Sequence, residues 1–186
     1  MAQSKILLDS NSYFRLAKSI HPLLDTVFGD EDNCLYVLKE LDEEFYRNKR
    51  LKNKFSWVGD DEYVSNRSKR LTLSRKDISN IKLVEGYLRQ HKIENTLGVS
   101  NIDIQCLAHG QVLDIPVVTD DGDMLLAAVD FDINTMKTLE LMRNMLDCAH
   151  INMAKVRQVV AFWAYECDKP GGFRGDYIRI FNENPP

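Results

Sequence analysis

Four acidic residues occupy positions from which carboxylates could act together: Asp9, Glu40, Asp103 and Asp121. Asp9 ends the apolar run KILLD, and Asp121 lies two residues after the apolar run IPVVT. Glu40 and Asp103 each stand at the start of a predicted helix. In a parallel sheet the strands end, and the following helices begin, at one edge. We therefore expect these carboxylates to meet at that edge.

Carboxylates that meet in this way repel one another unless a cation neutralises them. Oxygen ligands without nearby His or Cys ligands favour Mg²⁺ or Mn²⁺. Such ions, often in pairs, activate water and stabilise the leaving oxygen in phosphoryl displacement. The pattern predicts metal-dependent hydrolysis of a phosphodiester, with Asp123 as an auxiliary ligand or a helix cap.

A purely structural interpretation explains some of these acids. Asp and Glu are favourable in the first turn of a helix, which accounts for Glu40 or Asp103 taken singly. It accounts poorly for Asp9, because a carboxylate that ends an apolar strand is costly unless it is paired or liganded. Asp120, next to Asp121, is expected to point to solvent.

The elements that must position these acids alternate between strands and helices, which predicts an α/β fold with a mostly parallel sheet. The strands are predicted at 5–9, 34–38 and 115–119, with a weak strand at 131–133. Helices are expected after each strand and after Ser74. Further expectations are a helix from Pro22 to Val27, an irregular segment at 55–76, helices at 135–148 and 152–167, and an edge strand at Asp176–Phe181.

One segment has a charge opposite to that of the rest of the chain. Residues 47–76 carry ten Lys and Arg against three acids, a net +7, whereas the whole chain is −4 and the remainder is therefore −11. This asymmetry favours a segment that binds a polyanion beside an acidic site, and the alternative is a solvated surface. Arg67, Lys69 and Arg70 are the predicted contacts to the backbone of this polyanion.

The whole chain suits one domain, 1–186, because 186 residues with 44% hydrophobic content can bury a single core. Neither a signal peptide nor a run long enough to span a bilayer is recognisable, so we expect a soluble cytoplasmic protein without a membrane partner. The four cysteines form no CxxC pair, which predicts reduced and buried thiols and no zinc site.

The C-terminal part carries an apolar stripe at helical spacing: Met153, Val156, Val160, Trp163 and Cys167. An apolar stripe on a helix is expected to be buried against another apolar surface. The first interpretation is the protein's own core. The second is an interface with a second copy or with another protein, where a Trp is a frequent hot spot.

The ordered motifs KILLDSN, LYVLKEL, SNIDIQCLAHGQ and IPVVTDDGDM resemble the PIN domain, especially that of VapC-like toxins. The resemblance covers about 5–135 and implies a three-layer α/β/α fold in which four acids bind divalent metal and hydrolyse RNA. It carries those roles to Asp9, Glu40, Asp103 and Asp121, a possible fifth-acid role to Asp123, and supporting hydrogen bonds to Asn11 and Thr119. It also implies an antitoxin partner. The basic insertion at 47–76 and the helical C-terminal extension at 135–186 depart from the small toxins.

Other interpretations stay open. Asp121-Gly122-Asp123 is a DxD as in Toprim domains, but that assignment leaves Asp9 and Asp103 unexplained. A haloacid-dehalogenase-like site requires a DxD after the first strand, where this chain has Asp9-Ser10-Asn11. A PIN-like scaffold without catalysis would be a binding module. A DNA nuclease is equally compatible with the residues, because phosphate contacts do not distinguish DNA from RNA. RNA follows from the resemblance alone.

Overall fold

The computed structural model describes residues 3–186. Five short strands form one sheet: β1 (Lys5–Leu8), β2 (Val27–Phe28), β3 (Asn33–Val37), β4 (Val117–Val118) and β5 (Thr135–Met136). Their order is β2-β3-β1-β4-β5. β3, β1, β4 and β5 are parallel to one another, and β2 pairs with β3 as an antiparallel edge strand. The mostly parallel sheet is confirmed.

Helices account for most of the remaining chain: α1 (Ser10–Leu16), α2 (Glu40–Arg47), α3 (Lys49–Lys54), α4 (Asp61–Asn66), α5 (Arg75–Asn95), α6 (Asn101–Leu113), α7 (Gly122–Asp130), α8 (Thr138–Asp147), α9 (Met153–Tyr165) and α10 (Phe173–Phe181). A 3₁₀ turn, Ser56–Gly59, separates α3 from α4. Both the Ser74 and Ser100 starts form capping boxes, so the helix starts predicted there are confirmed.

Successive side chains of each strand point to opposite faces of the sheet, so they belong to two hydrophobic cores. On β1, Ile6 and Leu8 enter one core, and Leu7 enters the other. The first core is covered by α1, α2, α4 and α8–α10, and the second by α5–α7. Helices therefore cover both faces of the sheet, which confirms the predicted three-layer α/β/α architecture.

The segment after Pro22 is not helical, so the helix predicted there is wrong. The chain turns instead and enters β2 at Val27. Leu24 is buried, its N–H donates to Asn66 Oδ1 at 3.1 Å, and its carbonyl accepts from Asn66 Nδ2 at 2.6 Å. Contacts with a distant segment thus satisfy the backbone that a helix would have satisfied internally.

The segment 55–76 is not irregular throughout, because it contains the 3₁₀ turn, α4 and the first turn of α5. Its aromatic side chains belong to the first core, and Phe55 stacks on Phe14 of α1 with ring centroids 4.9 Å apart. The aromatic side chains of the basic insertion are therefore part of the first core.

The predicted strand at Asp176–Phe181 is wrong, because these residues lie in α10. Phe173, Tyr177 and Phe181 recur every fourth residue and are all buried, so the helical period prevails over the apparent alternation. The strand expected at 131–133 is also misplaced. Ile133 N–H closes the end of α7 on the Ala128 carbonyl, and β5 follows. The helix predicted at 135–148 begins only at α8.

Trp163 is fully buried, and its indole N–H donates to the Arg15 carbonyl at 2.8 Å. Val156 and Val160 are buried beside it in the first core. The stripe on α9 therefore belongs to the protein's own core, and the interface interpretation of that stripe is wrong. Cys167, at its end, is exposed, unlike the buried thiol expected there. No helix within residues 3–186 combines the length and the apolarity needed to cross a membrane.

Candidate active site

Asp9 lies where β1 passes into α1 and is only 4% exposed. Its Oδ1 accepts the N–H of Ser12 at 2.6 Å, which caps α1. Its Oδ2 accepts the hydroxyl of Thr119 at 2.6 Å. The pairing of β1 with β4 brings Thr119 beside Asp9, so the parallel register itself creates this contact.

The Asp9 carboxyl is an uncompensated buried acid. Burial raises its pKa from 3.8 to about 6, although the hydrogen bonds from Thr119 and Ser12 lower it, and the Asp120 carboxylate raises it further. No ion pair within residues 3–186 includes Asp9. The anion that prevails at neutral pH is therefore costly here, and a bound cation would relieve that cost.

A narrow cleft joins Asp9 to Asp103. Its volume is about 10 Å³, enough for roughly one water molecule. Ser10 and Cys106 also line it. The Ser10 hydroxyl oxygen is buried and finds no hydrogen-bond partner in the part of the chain that the structure describes, so this cleft contains an unsatisfied polar atom as well as two acids.

Asp103 is in the first turn of α6, where its Oδ2 accepts the Ser100 N–H at 2.6 Å. Cys106 follows one turn later, with its thiol buried. Burial raises the pKa of this thiol well above its usual value, and the charges of Asp9 and Asp103 raise it further. Both carboxylates therefore act on the same small volume.

Glu40 and Asp121 lie outside this cleft. Glu40 opens α2 and lines two other clefts, of about 170 and 730 Å³. Asp121 is exposed and caps α7 by accepting the Met124 N–H at 2.9 Å. Its own N–H donates to the Thr119 hydroxyl that binds Asp9, at 3.1 Å. Within residues 3–186, no three acidic, His or Cys side chains are close enough to share one ion.

The neighbours of Asp121 are engaged in the fold. The expectation that Asp120 points to solvent is wrong, because its side chain is 5% exposed and pairs with Arg15 at 2.9 Å. Asp123 Oδ2 accepts the Gly98 N–H at 2.6 Å. A Cβ at Gly98 would stand 2.8 Å from that oxygen, so a side chain there would force the Asp123 carboxylate to shift.

Of the two predicted supporting residues, Thr119 binds Asp9 directly, whereas Asn11 is exposed on α1. Ser12 provides the hydrogen bond near Asp9 instead. Its hydroxyl is buried against the Val118 carbonyl at 3.3 Å and Thr138 Oγ1 at 3.1 Å. The alternation of buried and exposed positions at the start of α1 separates Ser12 from Asn11.

The predicted RNA contact at Arg67 is wrong. Arg67 is 1% exposed and donates to Asp42 Oδ1, the Tyr13 hydroxyl and the Val58 carbonyl, each at 3.0 Å. It holds the insertion against α1 and α2. Lys69 and Arg70 reach the surface but are paired with acids, Lys69 with Asp25 and Arg70 with Asp42.

The residues at the cleft fit a divalent cation of the Mg²⁺ type. Mg²⁺ is commonly held by one or two carboxylates and keeps several waters, so Asp9 and Asp103 would suffice as protein ligands. Because the cleft has room for roughly one water molecule, the other waters of the ion would lie outside it. The unsatisfied Ser10 oxygen offers one more polar contact. Sequence reasoning missed Ser10 and Cys106. The spacing of Asp103 and Cys106, three residues apart on α6, was the signal that places both on one helix face.

Comparisons with known proteins leave the family open. No protein-family model matches this sequence, and no curated protein matches it. Among solved structures, the chain is similar to the crystal structure of FitAcB from Neisseria gonorrhoeae, with 14% sequence identity and a TM-score of 0.47. That similarity covers 72% of this chain and 98% of the other.

Proposed function

We propose that the protein is a metal-dependent nuclease of the PIN type that hydrolyses RNA phosphodiester bonds with Mg²⁺ or Mn²⁺. The observation that carries this proposal is Asp9, a buried carboxylate without a cationic partner within residues 3–186, facing Asp103 across one cleft. A structural acid at this depth would normally be paired.

The chain's own residues have separable roles in this proposal. Asp9 and Asp103 would hold the ion, and the bonds from Ser12 and Thr119 keep the Asp9 carboxylate in one orientation. The Thr119 hydroxyl also accepts the Asp121 N–H, so one side chain connects the Asp9 carboxylate to the backbone of Asp121. When bound, the ion supplies Lewis acidity and lowers the pKa of its water. Glu40 and Asp121 would contact the ion's waters or the substrate from outside the cleft.

RNA, rather than DNA, comes from the family resemblance, as does an antitoxin as a partner. Chemistry at the cleft does not depend on these choices. A single-stranded DNA of the same sequence therefore belongs in every assay, and preferential cleavage of DNA would replace RNA as the substrate.

Cleavage of a labelled single-stranded RNA in Mg²⁺ and in Mn²⁺ tests the proposal. Asp9→Asn and Asp103→Asn should each lower the rate by at least about a hundredfold, because loss of a ligand costs more than the 10–100-fold typical of its neighbours. Asp114→Asn is the matched control, since Asp114 is exposed at the other end of α6 and Asn tolerates its left-handed backbone.

Calorimetric titration with Mn²⁺ alone gives a readout independent of the substrate. The wild type and Asp114→Asn should bind, and Asp9→Asn should not. Cleavage that survives excess EDTA, or full activity in Asp9→Asn, would contradict the proposal. Binding of RNA without cleavage by the wild type would favour the non-catalytic alternative.

A further inference from the structure

A wide groove lies next to the Asp9–Asp103 cleft. It has a volume of about 730 Å³ and runs between the end of α2 with α3 on one side and the start of α6 on the other. Arg47, Lys49 and Arg50 line the first wall, and the carboxylates of Glu40, Glu43 and Glu44 line it on the α2 side. Side chains that can donate or accept hydrogen bonds line the second wall: Ser100, Asn101 and Gln105.

The cations of this groove differ from the others in the insertion. Within residues 3–186, Lys49 and Arg50 belong to no ion pair, and the exposed Arg47 meets Glu43 only at 3.4 Å. By contrast, Lys54 on the same helix pairs with Asp168 at 3.0 Å. Unpaired cations on a concave surface attract an anion without first breaking an internal contact.

The groove adjoins the candidate active site. Ile102 lines both the groove and the Asp9–Asp103 cleft, and Glu40 lines the groove as well. A polyanion lying along the cations would therefore lie beside the residues that line the cleft. The volume of the groove lies in the range of small-molecule sites, which is enough for a few nucleotides of one strand.

We infer that this groove binds the backbone of a single-stranded nucleic acid, with Lys49 and Arg50 on its phosphates, and leads one phosphodiester to the cleft. The delivery step rests on the proposed nuclease function, whereas the binding step does not. The proposal moves the polyanion contact from Arg67, Lys69 and Arg70 to the start of α3. It also assigns base or sugar contacts to Asn101 and Gln105, since neutral amides can bond to either.

Fluorescence anisotropy with a labelled single-stranded RNA, in EDTA and in an Asp9→Asn background, measures binding without cleavage. Log affinity falls as log salt rises. Adding Lys49→Ala and Arg50→Ala should make this fall less steep by about 1.4 units of slope, because each lost single-strand phosphate contact removes about 0.7. Affinity at low salt should fall at least about tenfold. Both side chains are exposed, so thermal melting should not change.

Arg75→Ala with Lys76→Ala is the matched control, because it removes the same charge from the same basic segment at a position outside the groove. It should leave the salt slope unchanged. The exchange Lys49→Arg with Arg50→Lys should also preserve the slope, since both charges remain. An equal loss in the control pair, or no loss in the groove pair, would overturn the proposal.

Two further arms separate the proposals. Similar affinity for single-stranded DNA and RNA would support recognition of the backbone, and tighter binding of a duplex would overturn the groove assignment. If no variant cleaves but the groove pair still lowers the slope, the nuclease function fails and the groove stands. If the wild type cleaves and the groove pair changes neither binding nor rate, only the groove fails.

Discussion

Two buried carboxylates at the same edge of the sheet have opposite surroundings. Asp120, after β4, is bound by the Arg15 guanidinium at 2.9 Å and by Thr138 through its N–H at 3.1 Å and its hydroxyl at 2.5 Å. Asp9, after β1, receives one backbone N–H and one hydroxyl. Both acids are almost inaccessible, yet only the first has a cation supplied by the protein.

This difference separates a structural acid from a candidate functional one. The Arg15–Asp120 pair connects α1 to the end of β4, and Arg15 extends the connection to Asp168 at 3.2 Å. Nothing further is required for that charge. Asp9 faces a cleft instead, and its burial leaves it in need of a proton or an external cation. Burial of a carboxylate alone therefore does not make it a candidate functional residue. Burial without a cationic partner does.

The largest effect should come from breaking the compensated cluster. Arg15→Met keeps the apolar stem but leaves Asp120 buried without its cation, and we expect a loss of about 3–5 kcal/mol in the free energy of unfolding. Urea denaturation at pH 7 measures it. Arg143→Met is the control, because Arg143 forms an exposed pair with Asp147 and should cost less than about 0.5 kcal/mol. Similar losses in both variants would remove the distinction between the clusters.

A smaller effect of opposite sign should follow at the uncompensated acid. The folded pKa of Asp9 is about 6 and exceeds 3.8, so its contribution to stability is fully present below pH 3.8 and is lost as pH rises through 6. Asp9→Asn, which keeps the cap of α1, should therefore stabilise the protein by up to about 3 kcal/mol above pH 7 and by nothing below pH 4.

Denaturation of both proteins at pH 4 and pH 8 checks this sign. Mg²⁺ adds a second check, because a ligand that binds only the wild-type fold stabilises only the wild type. The advantage of Asp9→Asn should shrink as Mg²⁺ increases. Asp120→Asn is the control and should destabilise, since Arg15 loses its partner. A destabilised Asp9→Asn at pH 8 would mean that its charge is already compensated.

The sequence was informative where local pattern and chemistry agree. The apolar runs before Asp9 and after Pro116 identify two parallel strands, and Ser100 identifies the start of α6, because strand burial and helix capping are properties of a few adjacent residues. The proximity of Asp9 to Asp103 followed from the parallel topology. The positions of Glu40 and Asp121 outside the cleft did not, since they depend on side-chain geometry.

The failures at Arg67 and Asp120 have one physical cause, which is that their partners are distant in sequence. The sequence around Arg67 does not indicate that Tyr13 and Asp42 bind its side chain. The sequence around Asp120 likewise does not indicate its ion pair with Arg15. The C-terminal segment is different, because its signal was local. Phe173, Tyr177 and Phe181 recur with the spacing of a helix. The segment Asp176–Phe181 taken alone shows an apparent alternation, which suggested a strand.

The smallest effects should come from removing one hydroxyl beside each acid. Thr119→Val takes a hydrogen bond from the Asp9 carboxylate, and Thr138→Val takes one from Asp120; both threonines are fully buried. Each should cost about 1–3 kcal/mol at pH 8. The Thr119 bond lowers the pKa of Asp9, so its loss should move that pKa above 6. Thr138→Val should leave the Asp9 titration where it is.

Carbon-13 NMR of the aspartate carboxyls, followed from pH 3 to 9, resolves the two cases. In Thr119→Val the Asp9 midpoint should rise, and the stability loss should nearly disappear below pH 4, where the carboxyl is protonated and the charge-assisted part of the bond is absent. In Thr138→Val, Asp120 keeps the Arg15 cation and the Thr138 N–H, so the Asp9 midpoint should stay at its wild-type value. Equal displacement of the Asp9 midpoint by both variants would show that the two acids titrate as one coupled cluster, and the contrast between a paired and an unpaired carboxylate would then no longer hold.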